Sequence, residues 1–353
     1  MSSYHTWIRG AAMTVLAACT WAGAGARAES VSMATWGGGV GDTWRAAFAQ
    51  AFEKDTGTKV KITEVPNPEA QVRTQAKAPQ YNAVLVSYFE AAKLYNDGLL
   101  ETFSVDEIPE LANVPGQYQM KGADGRVIGA PVYFTYYGIA FNTDFVKPSE
   151  MTSWADLGNA KWKGMTAITQ PIYSSTYHLT ILSHALGGDE KDVSRAIPMF
   201  KAQVANASVV YTSLAQLNQL LTRGEVVAAP YYLARVWAMK RDGVKNIDIS
   251  LPKEGGLMLP YMVVVPKGSA DRQAAKAWLN YAASAAPQLR TAELFGYFPL
   301  NDKAVIPADQ EKVLGMSVAE MKSRLFQPDW FVVAKEQAAR VKTVEQVISE
   351  TNN

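Results

Sequence analysis

Apolar and polar positions along this chain switch between two periods. The runs Val31 to Trp36, the stretch from Lys59, Ala83 to Val86, Met165 to Thr169, Glu225 to Ala229 and Tyr261 to Val265 are short and apolar or β-branched, and they predict strands. Between them the apolar residues recur at helical spacing. Trp44, Phe48 and Phe52 fall at i, i+4 and i+8 on one face of a helix that Asp42 opens and Gly57 closes. Ser213 and Gln216 form a capping-box pair around Leu214, Leu217 and Leu221, and Gly224 ends that helix. Further helices are predicted from about Glu90 to Asn96 and from about Asp271 to Ala285, stopping before Pro287. Ala83-Val84-Leu85-Val86 has no polar position at all, as in a parallel strand covered on both faces, so the alternation reads as an α/β fold.

A chain of 353 residues exceeds the usual size of one domain, which makes two lobes the expectation. No Pro/Gly/Ser-rich linker separates consecutive halves. The chain is therefore expected to cross between lobes more than once, near Pro131 to Tyr137, near Leu257 to Met262 and after Leu300, and such crossings act as a hinge. With 48% apolar and 19% charged residues, one Cys and a net charge of +1, the composition excludes a disordered chain, a disulfide scaffold and a nucleic-acid reader.

The first residues alter this balance. Arg9 precedes an acid-free apolar run, Ala11 to Ala22, and Ala26-Arg27-Ala28 supplies a small-x-small cleavage site, so residues 1–28 read as a secretory signal peptide. A rival cut before Cys19 would leave a lipid-anchored protein. Removal of residues 1–28 leaves 32 basic and 33 acidic residues and no Cys, which fits a periplasmic protein of a bacterial cell envelope. No later stretch approaches the roughly 20 apolar residues of a membrane helix.

Catalytic patterns are missing. HExxH, GxSxG and GxxxxGK[ST] do not occur, and Gly37-Gly38-Gly39-Val40-Gly41-Asp42 fails GxGxxG at its last position. His178 and His184 lie six apart, on different helix faces. Neither catalysis nor a cofactor is expected. In an open α/β sheet a ligand sits beyond the carboxyl ends of the strands, and the residues just past each predicted strand form a distinctive set. Trp36 and Gly37, Gly38 and Gly39 succeed the first. Ser87 and Tyr88 come after Val86, Ser174 and Ser175 come shortly after Thr169, and Tyr231, Tyr232 and Arg235 come after Ala229. Tyr133 and Tyr136 fall in the first crossing, and Tyr261 opens the strand after the second. Three of these places are predicted helix N-termini, which favour an anion, and Arg235 adds a guanidinium. The expected ligand is a small organic anion with its acid group on the glycine-run N–H groups, the Ser174 and Ser175 hydroxyls and Arg235, between aromatic walls.

Several short stretches carry a family likeness, among them Phe52-Glu53-Lys54-Asp55-Thr56-Gly57, Asp97-Gly98-Leu99-Leu100-Glu101, Gly138-Ile139-Ala140-Phe141-Asn142, Ser153-Trp154-Ala155-Asp156-Leu157 and Gly296-Tyr297-Phe298-Pro299-Leu300-Asn301. In this order and spacing the chain resembles the solute-binding proteins of bacterial ABC importers, of the type that includes spermidine/putrescine- and ferric-ion-binding proteins. The resemblance implies a two-lobe periplasmic binding protein fold of type II-like topology with the cleft between the lobes. It further implies a monomer without catalysis that delivers a small-molecule solute to an ABC permease in the inner membrane, and no nucleic-acid partner. On this reading residues 29–134 and 263–303 form one lobe, and residues 135–262 and 304–353 the other. Trp36, Tyr88, Tyr231 and Tyr297 match cleft-lining places of the family. Polyamine binders hold their cation with carboxylates at places matching Gln170, Ser174 and Tyr261, none of which is acidic, so a polyamine is disfavoured; a buried cation without a partner is costly. The pair Tyr231-Tyr232 is similar to the phenolate pair of ferric-ion binders, which leaves iron as an alternative.

Overall fold

The computed structural model describes residues 30–314 and 316–351; the expected signal peptide and Cys19 lie outside the described residues. Eleven strands form one hydrogen-bonded sheet in the order β2-β1-β3-β9-β4-β7-β5-β6, with β8 and β10 also paired to β4 and β11 to β9. The strands are β1 Ser30–Thr35, β2 Lys59–Glu64, β3 Ala83–Ser87, β4 Ala130–Asn142, β5 Thr166–Thr169, β6 Ala207–Tyr211, β7 Ala228–Tyr232, β8 Ile247–Ser250, β9 Gly256–Val264, β10 Phe298–Pro299 and β11 Leu325–Phe326.

Two parallel units stand at the ends of this order, β1 with β2 and β3 on one side and β5 with β6 and β7 on the other. Each is an α/β lobe, and two long antiparallel strands, β4 and β9, join them. β9 pairs with β3 through Tyr261 to Val264, and β4 pairs with β7 through Tyr137 to Phe141. All 13 residues of β4 are buried, as befits a strand covered along its whole length. The expected crossings 131–137 and 257–262 fall inside these two strands.

Local chemistry sets the element ends. Ser30–Thr35 leads into a helical segment over 39–56 that Gly57 stops with φ 72°, the left-handed conformation glycine adopts freely. Trp44 and Phe48 stack there at 4.0 Å between ring centroids, and Phe52 meets Trp278 edge-on at 5.0 Å. Asp42 does not open that segment: its backbone N–H donates to the Gly38 carbonyl, which puts Asp42 in the first turn and Gly38 at the cap. The helix expected from about Asp271 does stop before Pro287, at Ala283; a separate helix, Ala285–Phe295, then carries Pro287 in its first turn, where a proline sacrifices no hydrogen bond.

β7 and β9 depart most from the sequence reading. β7 starts three residues later than predicted and runs to Tyr232; β9 starts five residues earlier, at Gly256. Pro230 and Pro260 sit inside them although proline is usually a strand terminator. The long C-terminal helix Trp330–Thr351 packs on both the Tyr88–Asn96 and the Ile197–Asn206 helices, so it bridges the two sides of the molecule.

Candidate functional site

A cavity of about 190 Å³ lies where β3, β9 and β4 meet the starts of five helices, which contribute Val40, Glu90, Tyr173, Leu214 and Arg235. At roughly 30 Å³ per water this is space for about six waters, enough for a compact solute. Two groups of rings wall it. In one, Trp36 meets Tyr261 edge-on at 5.8 Å, Tyr133 lies 4.6 Å from Tyr297, and Tyr261 stands 5.5 Å from Tyr133. Register places these rings together, since Tyr261 of β9 pairs with both Ser87 of β3 and Tyr133 of β4. In the other, Tyr173 stacks on Tyr177 at 5.8 Å with Tyr232 beyond. Tyr133 is held in place by the Trp44 indole, whose Nε1–H donates to its hydroxyl at 3.0 Å. Burial pushes the phenols of Tyr133, Tyr177, Tyr232 and Tyr261 well above their ordinary range, so all four are neutral hydroxyls.

Two charged side chains face this aromatic space. Arg235 stands in the first turn of the Leu233–Arg241 helix and has no ion-pair partner among the described residues. The helix start is tied to β4 through Thr135, whose Oγ1 accepts from the Ala234 N–H at 3.1 Å. Glu90 stands in the first turn of the Tyr88–Asn96 helix, where it forms a capping box with Ser87. The Ser87 backbone N–H and hydroxyl both donate to Glu90 Oε2 at 2.8 Å. Desolvation nonetheless outweighs those bonds and pushes the Glu90 carboxyl up to about 7.

Of the residues expected from sequence, Trp36, Ser87, Tyr133, Tyr232, Arg235, Tyr261 and Tyr297 line the cavity. The expected anion donors mostly do not. None of Gly37, Gly38 and Gly39 lines it, and the Gly38 N–H already serves an internal anion: it donates to Glu64 Oε2 at 3.0 Å, and Glu64 pairs with Arg45 at 2.6 Å. A Cβ on Gly37 would come within 2.9 Å of that same oxygen, so the glycine makes room for a carboxylate of the chain itself. Ser174 and Ser175 are fully buried, and their hydroxyls donate back to the carbonyls of Thr169 at 2.6 Å and Ile172 at 2.9 Å.

The remaining expected residues point elsewhere. Tyr88 is buried with its hydroxyl on the Tyr118 carbonyl. Tyr136 lines a separate cavity of about 460 Å³ with Trp237, Lys240 and Asp248. The Tyr231 ring lies 5.5 Å from that of Tyr232, but only Tyr232 lines the cavity, and the Tyr231 hydroxyl donates to Asn218 Oδ1 at 2.6 Å. The Tyr231 phenol is thus engaged within the chain, and no cluster of three or more His, Cys, Asp or Glu side chains that could hold a metal occurs among the described residues. Sequence reasoning missed Glu90, Thr135, Tyr173 and Tyr177. For Glu90 the signal was present: Ser87-Tyr88-Phe89-Glu90 is itself an S-x-x-E capping box.

Comparison with known proteins agrees with this architecture. The chain is 23% identical over 255 residues to the spermidine/putrescine-binding periplasmic protein of Escherichia coli (strain K12), covering 70% of this chain and 72% of that one. It is 24% identical over 319 residues, 87% of this chain and 88% of the relative, to a Salmonella typhi periplasmic protein named for 2-aminoethylphosphonate binding. The crystal structure of an ABC transporter substrate-binding protein from Bradyrhizobium japonicum USDA 110 superposes with a TM-score of 0.78 at 20% identity, over 90% of this chain and 99% of that one. The fold is therefore the two-lobe α/β fold of ABC substrate-binding proteins. Among the described residues no helix is long and apolar enough to cross a membrane. The model of the bacterial extracellular solute-binding proteins matches residues 47–313, and the chain belongs to that family.

Proposed function

We propose that this protein is the periplasmic receptor of an ABC importer for a small organic acid, which it carries unaltered to an inner-membrane permease. The observation that carries this reading is Arg235, a guanidinium without an ion-pair partner among the described residues, facing a cavity walled by tyrosines and Trp36. A carboxylate or phosphonate accepting from it gains charge-assisted hydrogen bonds between aromatic walls, and the neutral phenols add donors. The lobes, residues 29–134 with 263–303 and 135–262 with 304–353, close over the solute. The closed form gains population only by the solute's preference for it. The Salmonella relative named for an aminophosphonate fits an acid of this size.

Glu90 supports a second reading, a polyamine. It puts a carboxylate in the cleft that Gln170, Ser174 and Tyr261 do not supply, and the Escherichia coli relative is named for polyamines. Thermal-shift titration with glutarate, ethylphosphonate, 2-aminoethylphosphonate, putrescine and spermidine separates the readings. The acid reading expects stabilisation that rises with concentration of the acids, about 2.7 kcal/mol at 100 times Kd. Stabilisation by the polyamines alone would replace it with the second reading.

A further inference from the structure

We propose that Glu90 is the cation-selecting residue of this cleft: it takes the ammonium group of an amine-bearing acid and releases its own proton to solvent as that group binds. The inference rests on the cleft being the solute site and narrows the solute to an acid that also carries an amine.

The geometry supplies the two groups. Arg235 enters from the helix Leu233–Arg241 and Glu90 from the helix Tyr88–Asn96, and the two line one cavity of about 190 Å³. Tyr261 stands within the field of both: Glu90 raises its phenol and Arg235 lowers it. A solute in the cavity therefore meets both a positive group and a carboxyl. Both Ser87 hydrogen bonds fall on Glu90 Oε2, which leaves Oε1 for a ligand.

Glu90 is held so that its charge waits for a partner. Burial dominates its titration; Glu69 of the Pro68–Thr74 helix pushes the same way, and Lys93 of its own helix and the Ser87 bonds oppose. Across the cavity it faces the phenols of Tyr173, Tyr177 and Tyr261, none of them charged at neutral pH, with Arg235 beyond. The C-terminal helix meets the Tyr88–Asn96 helix through Phe331 on Tyr95, an apolar contact. Poised at about 7, the carboxyl of the empty cleft is about half protonated at pH 7. An ammonium beside Oε1 favours the carboxylate, so the O–H bond breaks, the proton goes to buffer, and a carboxylate–ammonium pair remains. Binding then weakens as pH falls below 7.

Glu90→Gln tests this without losing the cap, because Gln also serves at that position of a capping box. Calorimetry in two buffers of different ionisation enthalpy, with 2-aminoethylphosphonate, ethylphosphonate and putrescine, counts protons for both proteins. The difference between the two proteins cancels the phosphonate's own titration. We expect wild type to release about half a proton more than Glu90→Gln per 2-aminoethylphosphonate at pH 7 and none more at pH 9. Its affinity for 2-aminoethylphosphonate, taken relative to ethylphosphonate, should be about tenfold weaker at pH 6 than at pH 8. Equal affinity and equal proton count for 2-aminoethylphosphonate in the two proteins overturn the proposal. Binding of putrescine alone, with proton release that Glu90→Gln abolishes, keeps the role of Glu90 and overturns the acid reading instead. Binding of none of the three probes overturns both.

Discussion

Ser87 and Glu90 grip each other from both sides: the Ser87 N–H and hydroxyl donate to Glu90 Oε2 at 2.8 Å, while Ser87 Oγ accepts from the Glu90 N–H at 3.3 Å. One pair of residues thus starts a helix and aims a carboxyl into the cleft. Ser87→Ala removes the hydroxyl from both roles. We expect a loss of about 1 kcal/mol in urea unfolding, the usual cost of an N-cap serine. The Glu90 carboxyl should also titrate above about 7, since a bond to its charged form is gone; carbon-13 NMR of the carboxyl reads this directly. A lower titration point in the variant would contradict the capping geometry.

Arg235 and Tyr231 lie four residues apart, but only Arg235 reaches the cavity. Arg235→Ala should weaken binding of an acidic solute by about 10- to 100-fold, the worth of a charge-assisted hydrogen bond or two. Tyr231→Phe should leave that affinity unchanged and lower stability by about 0.5–1.5 kcal/mol, the net worth of its half-buried hydrogen bond to Asn218 Oδ1. Isothermal titration with 2-aminoethylphosphonate and urea unfolding check the pair. A large affinity loss in Tyr231→Phe would place its phenol in the cleft.

The α/β class and the strand starts near Ser30, Lys59 and Ala83 were legible because Ala83–Ser87 is a continuous, fully buried run and the other two are short β-branched or apolar stretches set between helical periods. The cleft was only partly legible. Trp36, Tyr133, Tyr232, Arg235, Tyr261 and Tyr297 lie at strand ends or crossings, and they do reach the cavity. The glycine run misled for a reason no local pattern contains: Glu64, on a neighbouring strand and 26 residues away, occupies the Gly38 N–H. Ser174 and Ser175 misled because a hydroxyl in a helical turn can donate to a carbonyl three to five residues back, and here both do. Tyr231 misled because its hydroxyl is taken up by Asn218 Oδ1, 13 residues back on the Leu214–Arg223 helix, a partner that the local sequence does not reveal. Glu90 escapes notice because a carboxylate in a first turn ordinarily reads as a cap and nothing more.

Trp44 and Tyr133 couple the core to the cleft through the indole N–H on the Tyr133 hydroxyl at 3.0 Å. Both side chains are almost fully buried. Tyr133→Phe leaves the indole N–H without an acceptor, which should lower stability by about 1–3 kcal/mol in urea unfolding. The ring itself stays against Tyr297 and Tyr261, so solute affinity should change by less than about tenfold. A larger loss of affinity at unchanged stability would show that the hydroxyl serves the solute rather than Trp44.

His178 gives the chain an acid-sensitive point just behind the cavity wall, next to Tyr177 and against Tyr137. It is buried among Tyr137, Trp154 and Phe200, and its Nε2 lies 2.6 Å from Gln203 Oε1. Gln203 Nε2 already donates to the Trp154 carbonyl, so Oε1 accepts and His178 Nε2 carries the proton. Nδ1 has no partner among the described residues, and a second proton there would have no acceptor. Burial accordingly pushes the imidazole down to about 4. The unfolded chain takes up the proton first, as pH falls through about 6.5, so the contribution is intact above that value and is lost between about 6.5 and 4, by up to about 3 kcal/mol. Glu90 acts with the opposite sign. Its folded value is raised to about 7, so between about 4.5 and 7 its contribution falls as pH rises, and the two partly cancel in wild type. The expected result is therefore a difference between variants: the drop in urea stability from pH 6.5 to 4.5 should be smaller in His178→Phe than in wild type and larger in Glu90→Gln. An unchanged acid slope in His178→Phe would mean that the folded protein accommodates the charged ring.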